Sequence, residues 1–317
     1  HLRRPDVKDL TAESHGLNID VEVHNTEACP IYSCIAIEGV SVKPSPQWMQ
    51  RALNAVGLKP INNIVDATNY VMMELGQSLH AFDADHIRGH RIVVRNVAQG
   101  TPFTTLDGIE RTLDANDLLI CDAEGPMCLA GIFGGLDSGI SNDTHNIVLE
   151  SAYFNPVNIR KSARRHGLST DASFRYERGC DPNNTRYVLT RCARLIQDMA
   201  GGTIAGDVCE VRARTFPPFN VSLSQERINS LIGKTIDPTI VERILNALDI
   251  EIAAKDNGHY SLRVPQYRVD VQRDVDVIED LLRTYGYNNV DLPKHMKMSV
   301  CPTPTPEPEA VRNSISN

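Results

Sequence analysis

Two adjacent prolines divide the chain into a long body and a short one. The segment RARTFPPFN places Pro217 beside Pro218, and neither a helix interior nor a sheet ladder accommodates such a pair. The 317 residues are enough for roughly two domains. We therefore predict a large domain over residues 21–205, a linker over 206–212 and a small domain over 213–288.

The two ends of the sequence differ from these bodies. Residues 1–20 are predicted to be an N-terminal extension. Residues 289–317 are predicted to be a proline-rich linker, because CPTPTPEPE has the composition of a stiff, solvated polyproline segment. His1 is not an initiator residue, and an amphipathic pattern begins where the sequence stops, so we interpret the chain as a piece of a longer protein.

The large domain has a strand-rich pattern with embedded helices. YSCIAIEGV and RIVVRNV have the apolar patterns of strands, and FTTLDGIERTL places Asp-Gly between two β-prone runs, which predicts a hairpin. PQWMQRALNAVGL predicts a helix ended by Gly57. DPNNTRYVLTRCARLIQDMAGG predicts another, capped by Asn183 or Asn184 and ended by Gly201. The fold class is therefore α+β, with helices packed on a mixed or antiparallel sheet.

The small domain is predicted to be a helix-strand-helix module. SQERINSLIG and DPTIVERILNALDI read as short helices, the second with Asp237 as its cap and Pro238 at its first position. YSLRVPQYRVDV has a strand pattern, and DVDVIEDLLRTYGY predicts a closing helix.

Composition excludes several classes of protein. No apolar run approaches the roughly 18 residues of a membrane span, and no secretory signal is visible, so we expect a cytoplasmic protein without a membrane partner. Eight cysteines occur without a Cys-x-x-Cys pair, which favours reduced structural thiols over a zinc site.

Four segments are candidates for chemistry. NNIVDATNYVMMELGQSLHAFD contains Thr68, Asn69 and His80, which are either satisfied core polar groups or parts of a site. CLAGIFGGLDSGI is glycine-rich but lacks the Gly-Lys-Ser/Thr ending of a phosphate loop, so its glycines make either turns or a close approach to a ligand. In IVLESAYFNP, Glu150 interrupts a β-prone run and must either face water or bind a polar group.

The fourth segment is basic, although the chain has a formal net charge of −8. In NIRKSARRHGLSTDASFRYERG, a helix over 157–166 gathers four cations, and HGLSTDAS reads as a loop. The cations form either a solvated face or a surface for phosphates or an acidic partner; they are Arg160, Lys161, Arg164 and Arg165.

An acidic cluster occupies the end of the small domain. Four carboxylates fall within eleven residues, and the last three are spaced i, i+3 and i+4 on a helix; they are Asp270, Asp276, Glu279 and Asp280. Oxygen ligands suit Mg²⁺, but acidic residues are equally favoured at a helix start. The sequence leaves both readings open.

Five segments, in this order, resemble the β subunit of bacterial phenylalanyl-tRNA synthetase: NIVDATNYVMMELGQSLHAFD, LAGIFGG, VLESAYFNP, IRKSARRHGLSTDASFRYERG and VPQYRVDVQRDVDVIEDLLRTYGY. The resemblance covers nearly the whole chain. It implies that the large domain is the family's tRNA-editing domain and that the small one is its winged-helix-like domain. The proline-rich segment would lead into a catalytic-like module that this sequence lacks.

The resemblance also implies residue roles in hydrolysis of mischarged Tyr-tRNA(Phe). The positions matching the surroundings of the scissile ester, which we treat as catalytic, are His80, Thr68 and Asn69. The positions matching the substrate-binding wall are Glu150, which would read the tyrosine phenol, and Ala130, Gly131, Thr170 and Ala172. No cofactor is expected for editing, and no covalent intermediate is expected.

Partners follow from the same resemblance. The family is a tetramer of two α and two β subunits that binds tRNA(Phe), and its ATP-dependent synthetic site lies on the α subunit, so this chain alone would not aminoacylate. The four carboxylates match positions that contribute to a Mg²⁺ shared with the α subunit. The alternative is a non-catalytic RNA-binding or assembly scaffold with a degenerate editing pocket.

Two positions depart from the family pattern. Gln77-Ser78-Leu79-His80 stands where the family usually has Gln-Pro-Met-His, which loosens the backbone but keeps the imidazole. Phe174 stands where the family often has a histidine, so no role is given to a histidine there.

Overall fold

The computed structural model describes residues 4–291 and 307–316. Its α-helices are α1 (Gln47–Ala55), α2 (Asn63–Leu75), α3 (Pro156–His166), α4 (Asp171–Tyr176), α5 (Thr185–Ala200), α6 (Gln225–Ile232), α7 (Pro238–Ala247), α8 (Asp274–Tyr285) and α9 (Pro308–Ser316). Its strands are β1 (Asp20–Val23), β2 (Ile31–Glu38), β3 (His80–Asp83), β4 (Arg91–Asn96), β5 (Pro102–Thr104), β6 (Glu110–Thr112), β7 (Leu118–Cys121), β8 (Pro126–Leu129), β9 (Phe133–Gly134), β10 (Ile147–Tyr153), β11 (Thr203–Arg212), β12 (Phe219–Ser224), β13 (Glu251–Asp256) and β14 (His259–Val264). The predicted α+β class is confirmed.

Two sheets build the large body. One is antiparallel, in the order β11-β2-β10-β3, and the other has the order β1-β4-β7-β8-β9 with β1 and β4 parallel. The Asp-Gly hairpin is confirmed as β5 and β6, with Gly108 in the left-handed region at φ +74°.

Strand β10 separates two hydrophobic cores because its side chains alternate between faces. Val148 and Ala152 belong to the core between the two sheets, together with strands β4, β7 and β8. Ile147 and Leu149 belong to the core on the other face, which helices α1, α2 and α5 cover. Glu150 therefore projects into the space between the sheets, on the side of Val148.

Local signals position the helices as predicted. Asn62 accepts hydrogen bonds from two backbone amides at the start of α2, and Gly76 ends the helix at φ +72°. Helix α1 ends just before Gly57, and α5 runs from the Asn184 cap position to Gly201. Helix α3 spans 156–166 and is capped by an asparagine side chain, in agreement with the basic helix predicted there.

The small body has its own core. Its sheet has the order β12-β14-β13, and side chains of α6, α7 and α8 pack on it. Asp237 caps α7 by accepting from the amide of Thr239, and Pro238 occupies the first turn, as predicted. The strand prediction holds only as far as Val264, because Pro265 follows.

Two sequence predictions are wrong, and a third falls mostly outside the residues that the structure describes. Residues 206–212 are not a linker but continue β11, which resumes its pairing with β2 after an irregularity between Ala205 and Cys209. This bulge interrupts the alternation that would have revealed the strand. The segment HGLSTDAS is not all loop, since α4 begins at Asp171. Most of the predicted proline-rich linker, residues 292–306, lies outside the described residues.

The N-terminal segment packs on the large body. Leu10 and Leu17 contact its two cores, and Ser14 forms an isolated parallel bridge with Ala205. Over the two described ranges, we find no helix with both the length and the apolar character needed to cross a bilayer.

Candidate active site

A cavity of about 400 Å³ opens beside β3. It is bounded by α2, the start of β3, the glycine-rich segment 131–140, β10 and the start of α4. Seven of the eight predicted catalytic and substrate-binding residues line it: Thr68, Asn69, His80, Gly131, Glu150, Thr170 and Ala172. Ala130 does not line the cavity but is buried next to Gly131. The sequence-predicted residues therefore converge on one cavity, although their roles stay predictions.

Glu150 and His80 are neighbours across the sheet. They are register partners on β10 and β3, and Cys34 on β2 and Cys209 on β11 continue the same row. Directly opposed residues of an antiparallel pair have Cβ atoms about 5 Å apart and lie on one face. Strand pairing thus places the carboxyl group and the imidazole at the same level of one cavity wall.

Glu150 is a buried acid with one hydrogen-bond donor. Its side chain is 3% exposed, and Oε2 accepts from the hydroxyl of Tyr32 at 3.1 Å. Burial raises the pKa of Glu150 from 4.5 to about 8, against the opposing effect of the Tyr32 hydrogen bond. No hydrogen bond from a described residue reaches Oε1. The cavity therefore presents a carboxyl oxygen that a ligand donor can reach.

His80 has a neutral ring with an unused nitrogen. Burial lowers its pKa from 6.5 to about 4, so the imidazole is uncharged near pH 7. The ring packs edge-to-face on Phe82 with centroids 4.4 Å apart. Its Nε2 atom is buried and has no hydrogen-bond partner among the residues described. A neutral imidazole nitrogen in this position can accept or donate one hydrogen bond, depending on the tautomer.

Helix α2 supplies the polar pair. The Thr68 hydroxyl donates to the backbone oxygen of Val65 at 2.7 Å, which fixes its rotamer while the residue still borders the cavity. Asn69 follows on the same helix and is half-buried. The pair lies in the middle of α2.

Glycines bring the opposite wall close. Gly131 has φ +65°, and a Cβ there would lie 2.8 Å from Phe154 and 3.0 Å from Tyr176. A Cβ on Gly134 would lie 2.8 Å from Leu106, a side chain from the β5–β6 hairpin loop, and 3.3 Å from the ring of His80. The glycine-rich segment therefore serves close packing around the cavity.

Thr170 closes the remaining side. Its hydroxyl accepts from the amide of Ser173 in a capping box and donates to the backbone oxygen of Ile132 at 2.8 Å. This ties the start of α4 to the glycine-rich segment. Ala172, in the first turn of α4, then faces the cavity.

Sequence reasoning missed three residues of this site: Tyr32, Leu106 and Tyr176. Tyr32 occupies an inward position of a strand that the sequence did predict, but its proximity to Glu150 depends on the pairing of β2 with β10. Tyr176 donates to the backbone oxygen of Ser78 at 3.1 Å, which steadies the backbone before His80 where the family has proline.

Of the four predicted cations on the basic helix α3, one forms salt bridges with described carboxylates and three do not. Arg160, Lys161 and Arg164 are exposed and form no salt bridge with any described carboxylate. Arg165 is also exposed but pairs with the buried carboxylate of Asp117, and its place in the predicted contact surface stays a prediction. Asp117 also accepts from Ser162 at 2.6 Å and contacts His166 at 2.6 Å.

The acidic cluster does not assemble into a cation site within the described chain. Asp276 accepts from the Arg273 guanidinium and from backbone amides at the start of α8, and Asp280 pairs with Arg268 and Arg283. Across residues 4–291 and 307–316, no three His, Cys, Asp or Glu side chains converge as metal ligands. Asp270 and Glu279 are exposed, and no hydrogen bond or salt bridge holds either side chain within the described residues.

Comparisons with known proteins agree along the chain. A family described as the B3/4 domain matches residues 28–201, and one described as the tRNA synthetase B5 domain matches residues 221–287. The phenylalanine–tRNA ligase beta subunit of Bacteroides fragilis (strain YCH46) is 50% identical over 299 residues, which cover 94% of this chain and 36% of the relative. That of Porphyromonas gingivalis (strain ATCC BAA-308 / W83) is 51% identical over 300 residues, with the same coverage.

The chain spans little more than a third of the length of these relatives. A solved N-terminal fragment of the phenylalanyl-tRNA synthetase beta subunit from Pyrococcus horikoshii aligns with a TM-score of 0.44 at 16% identity, covering 89% of this chain and 79% of the fragment.

Proposed function

The chain belongs to the B3/4 domain family, in the form that phenylalanine–tRNA ligase beta subunits carry, and we propose that its cavity is an editing site that hydrolyses Tyr-tRNA(Phe). The observation that carries the proposal is the buried acid Glu150, with one free oxygen, opposite the neutral His80 in a cavity of about 400 Å³. The reaction would cleave the ester between the tyrosyl carbonyl and the ribose, releasing tyrosine and tRNA.

Selectivity for tyrosine rests on a simple asymmetry. Tyrosine is phenylalanine with one more hydroxyl, and an apolar pocket rejects an added hydroxyl by only about 10²-fold, so a synthetic site for phenylalanine admits some tyrosine. A second site that binds the hydroxyl inverts the preference. When Glu150 is ionised, its Oε1 can accept the hydrogen bond of a tyrosyl phenol, whereas a phenylalanyl group would leave the charged carboxylate with Tyr32 as its one donor among the described residues.

The ester needs orientation more than activation by a nucleophile. An aminoacyl ester is already reactive, and positioning a water in line with its carbonyl supplies much of the acceleration. His80, with its unpartnered Nε2, is suited to hold that water or a substrate hydroxyl. Thr68 and Asn69, on the facing helix, are suited to bind the ribose end.

Three exposed cations extend the proposal to the tRNA. Arg160, Lys161 and Arg164 have no acidic partner among the described residues, and phosphates are the ligands such a group commonly meets. We assign them to the tRNA backbone or to acidic groups of an α subunit. In a complete two-α, two-β enzyme in the cytoplasm, any Mg²⁺ at the acidic cluster would need ligands beyond this chain, since two of its four carboxylates are held by arginines.

The test compares two substrates and two variants. The purified chain is incubated with Tyr-tRNA(Phe) and Phe-tRNA(Phe), and loss of each ester is followed over time. We expect faster hydrolysis of Tyr-tRNA(Phe), and loss of that preference in Glu150→Ala. Glu27→Ala, which removes an exposed carboxylate of the same domain, is the matched control and should keep the preference.

If the isolated chain shows no hydrolysis, an assay that includes the α subunit decides between the two functions. If the chain is inactive, the assay is repeated with the full β subunit and its α subunit. Binding of tRNA or of the α subunit with no effect of Glu150→Ala on deacylation by the full enzyme would favour the scaffold alternative instead. Charge reversal at Arg164 should weaken tRNA binding and reduce its salt dependence.

A further inference from the structure

Tyr32 is buried behind Glu150 and is not part of the cavity wall. It lies on β2, has no exposed surface and donates its hydroxyl hydrogen to Oε2 of Glu150 at 3.1 Å. The residues that line the cavity do not include it. Tyr32 therefore acts on a bound substrate only through Glu150.

The hydrogen bond distinguishes the two oxygens of one carboxyl group. Oε2 is occupied by a phenol of the chain itself, and Oε1 receives no donor from the described residues. The Tyr32 hydroxyl is a dependable donor, because burial first and the Glu150 charge second raise its pKa well above 10. A carboxyl group held at one oxygen cannot turn freely to offer the other in a different direction.

We propose that Tyr32 is a positioning residue for tyrosine selectivity, whose phenol holds Oε2 of Glu150 so that Oε1 is presented to the phenol of the substrate. The inference rests on the proposed function and deepens it. Glu150 would thus bind two phenols, one from the chain and one from the tyrosyl group. The permanent hydrogen bond from the Tyr32 phenol fixes the orientation in which the carboxyl group accepts a hydrogen bond from the substrate phenol.

The surroundings of Glu150 make this hydrogen bond important for its ionisation. The titratable groups that face it are Cys34 on β2, His80 on β3, Cys29 before β2, Cys128 on β8 and Tyr176 on α4. Burial raises the pKa of Cys29, Cys128 and Tyr176 and lowers that of His80, while the hydrogen bond with Cys209, followed by burial, raises the pKa of Cys34, so all are neutral near pH 7. Among the described residues, the Tyr32 hydroxyl is the one group that lowers the pKa of Glu150.

The first experiment is Tyr32→Phe, which removes the hydroxyl and keeps the ring. We expect the KM for Tyr-tRNA(Phe) to rise on the order of tenfold with little change in kcat, because a hydrogen bond that orders the binding group is lost. The pH at which deacylation is half-maximal should also move upward. Tyr187→Phe is the matched control, since its hydroxyl donates to the backbone oxygen of Pro5 and the residue does not line the cavity, and it should change neither value.

A second experiment measures the effect of Tyr32 on Glu150 directly, without an activity assay. In protein labelled with ¹³C at glutamate carboxyl carbons, the Glu150 signal is identified by its loss in Glu150→Gln, and its titration midpoint is measured with and without the Tyr32 hydroxyl. We expect a higher midpoint in Tyr32→Phe. Should that variant fail to fold, replacing Tyr32 with a ring-fluorinated tyrosine, a more acidic phenol and stronger donor, should move the midpoint downward.

The outcomes distinguish the two proposals. A folded Tyr32→Phe protein with unchanged KM, pH profile and Glu150 midpoint would overturn the positioning role while leaving the editing function intact. Absence of Tyr-tRNA(Phe) hydrolysis by the complete enzyme would refute the editing function, and with it the role of Tyr32 in selectivity. A shifted midpoint together with a raised KM supports both.

Discussion

Replacing Glu150 with glutamine should stabilise the large body, and the gain should grow with pH. In the folded protein, Glu150 keeps its proton up to about pH 8, whereas an ordinary glutamate loses it near 4.5. Between these values the folded state binds more protons than the unfolded state, so stability falls as pH rises. Glutamine is isosteric and neutral throughout, which removes this pH-dependent loss.

The size of the effect follows from the pKa. Integrating the linkage between about pH 5 and about pH 8 gives a loss of about 3 to 4 kcal/mol for Glu150, at about 1.4 kcal/mol per pH unit. His80 contributes with the opposite sign at lower pH, because its pKa is lowered to about 4 and stability is lost as pH falls through that range. That contribution is common to both proteins and cancels when they are compared.

Urea unfolding followed by the fluorescence of Trp48 measures the difference. Trp48 is the only tryptophan and packs edge-to-face on Tyr70 with centroids 5.4 Å apart, so its signal reports the large body. The free energy of unfolding of Glu150→Gln minus that of the parent should rise by about 3 to 4 kcal/mol between about pH 5 and about pH 8. Glu27→Gln, at an exposed site, should show no such rise. A difference that stays constant across this range would refute the claim that Glu150 is protonated in the folded state.

Three further substitutions test the construction of the site. Gly134→Ala should reduce deacylation at least tenfold while leaving the unfolding transition in place, because the new Cβ would meet Leu106 at 2.8 Å and the ring of His80 at 3.3 Å. Asp117→Ala should lower the free energy of unfolding by about 3 to 5 kcal/mol in urea titrations, because three α3 side chains lose the buried carboxylate that binds them. Asn62→Ala should cost about 1 kcal/mol in the same titrations, through loss of the cap of α2.

Elements with a clear period could be predicted from the sequence. The β-prone apolar run in YSCIAIEGV and the aspartate and proline at the start of α7 are local signals, and both predictions hold. The second half of β11 could not be found that way, because the irregularity between Ala205 and Cys209 shifts its pairing with β2. Helix α4 cannot be predicted with the same certainty, because the composition of LSTDAS is typical of loops as well as of helix caps.

The site was predictable in its members but not in its electrostatics. A resemblance could point to Glu150 and His80, but period alone could not decide whether Glu150 faces water or a closed space. That choice is fixed by pairing β10 between β2 and β3, which turns Glu150 toward the second sheet. The same pairing supplies Tyr32. Long-range contacts also pair Arg165 with Asp117, a partner 48 residues away, which no local pattern in the basic helix reveals.

Glu150 stands apart when the buried carboxylates of the described chain are compared by their donors. Asp66 accepts from a serine hydroxyl and a backbone amide, Asp83 from a threonine hydroxyl and a backbone amide, Asp122 from three backbone amides, and Asp117 and Asp280 from arginines. Glu150 accepts from Tyr32 alone. Because a buried carboxyl group with one donor costs free energy in its charged form, the fold is better served by an apolar residue at this position unless a ligand supplies the second donor. A phenolic hydroxyl entering the cavity would do so, and it would offset the cost of ionising Glu150 that the higher stability of Glu150→Gln at high pH measures.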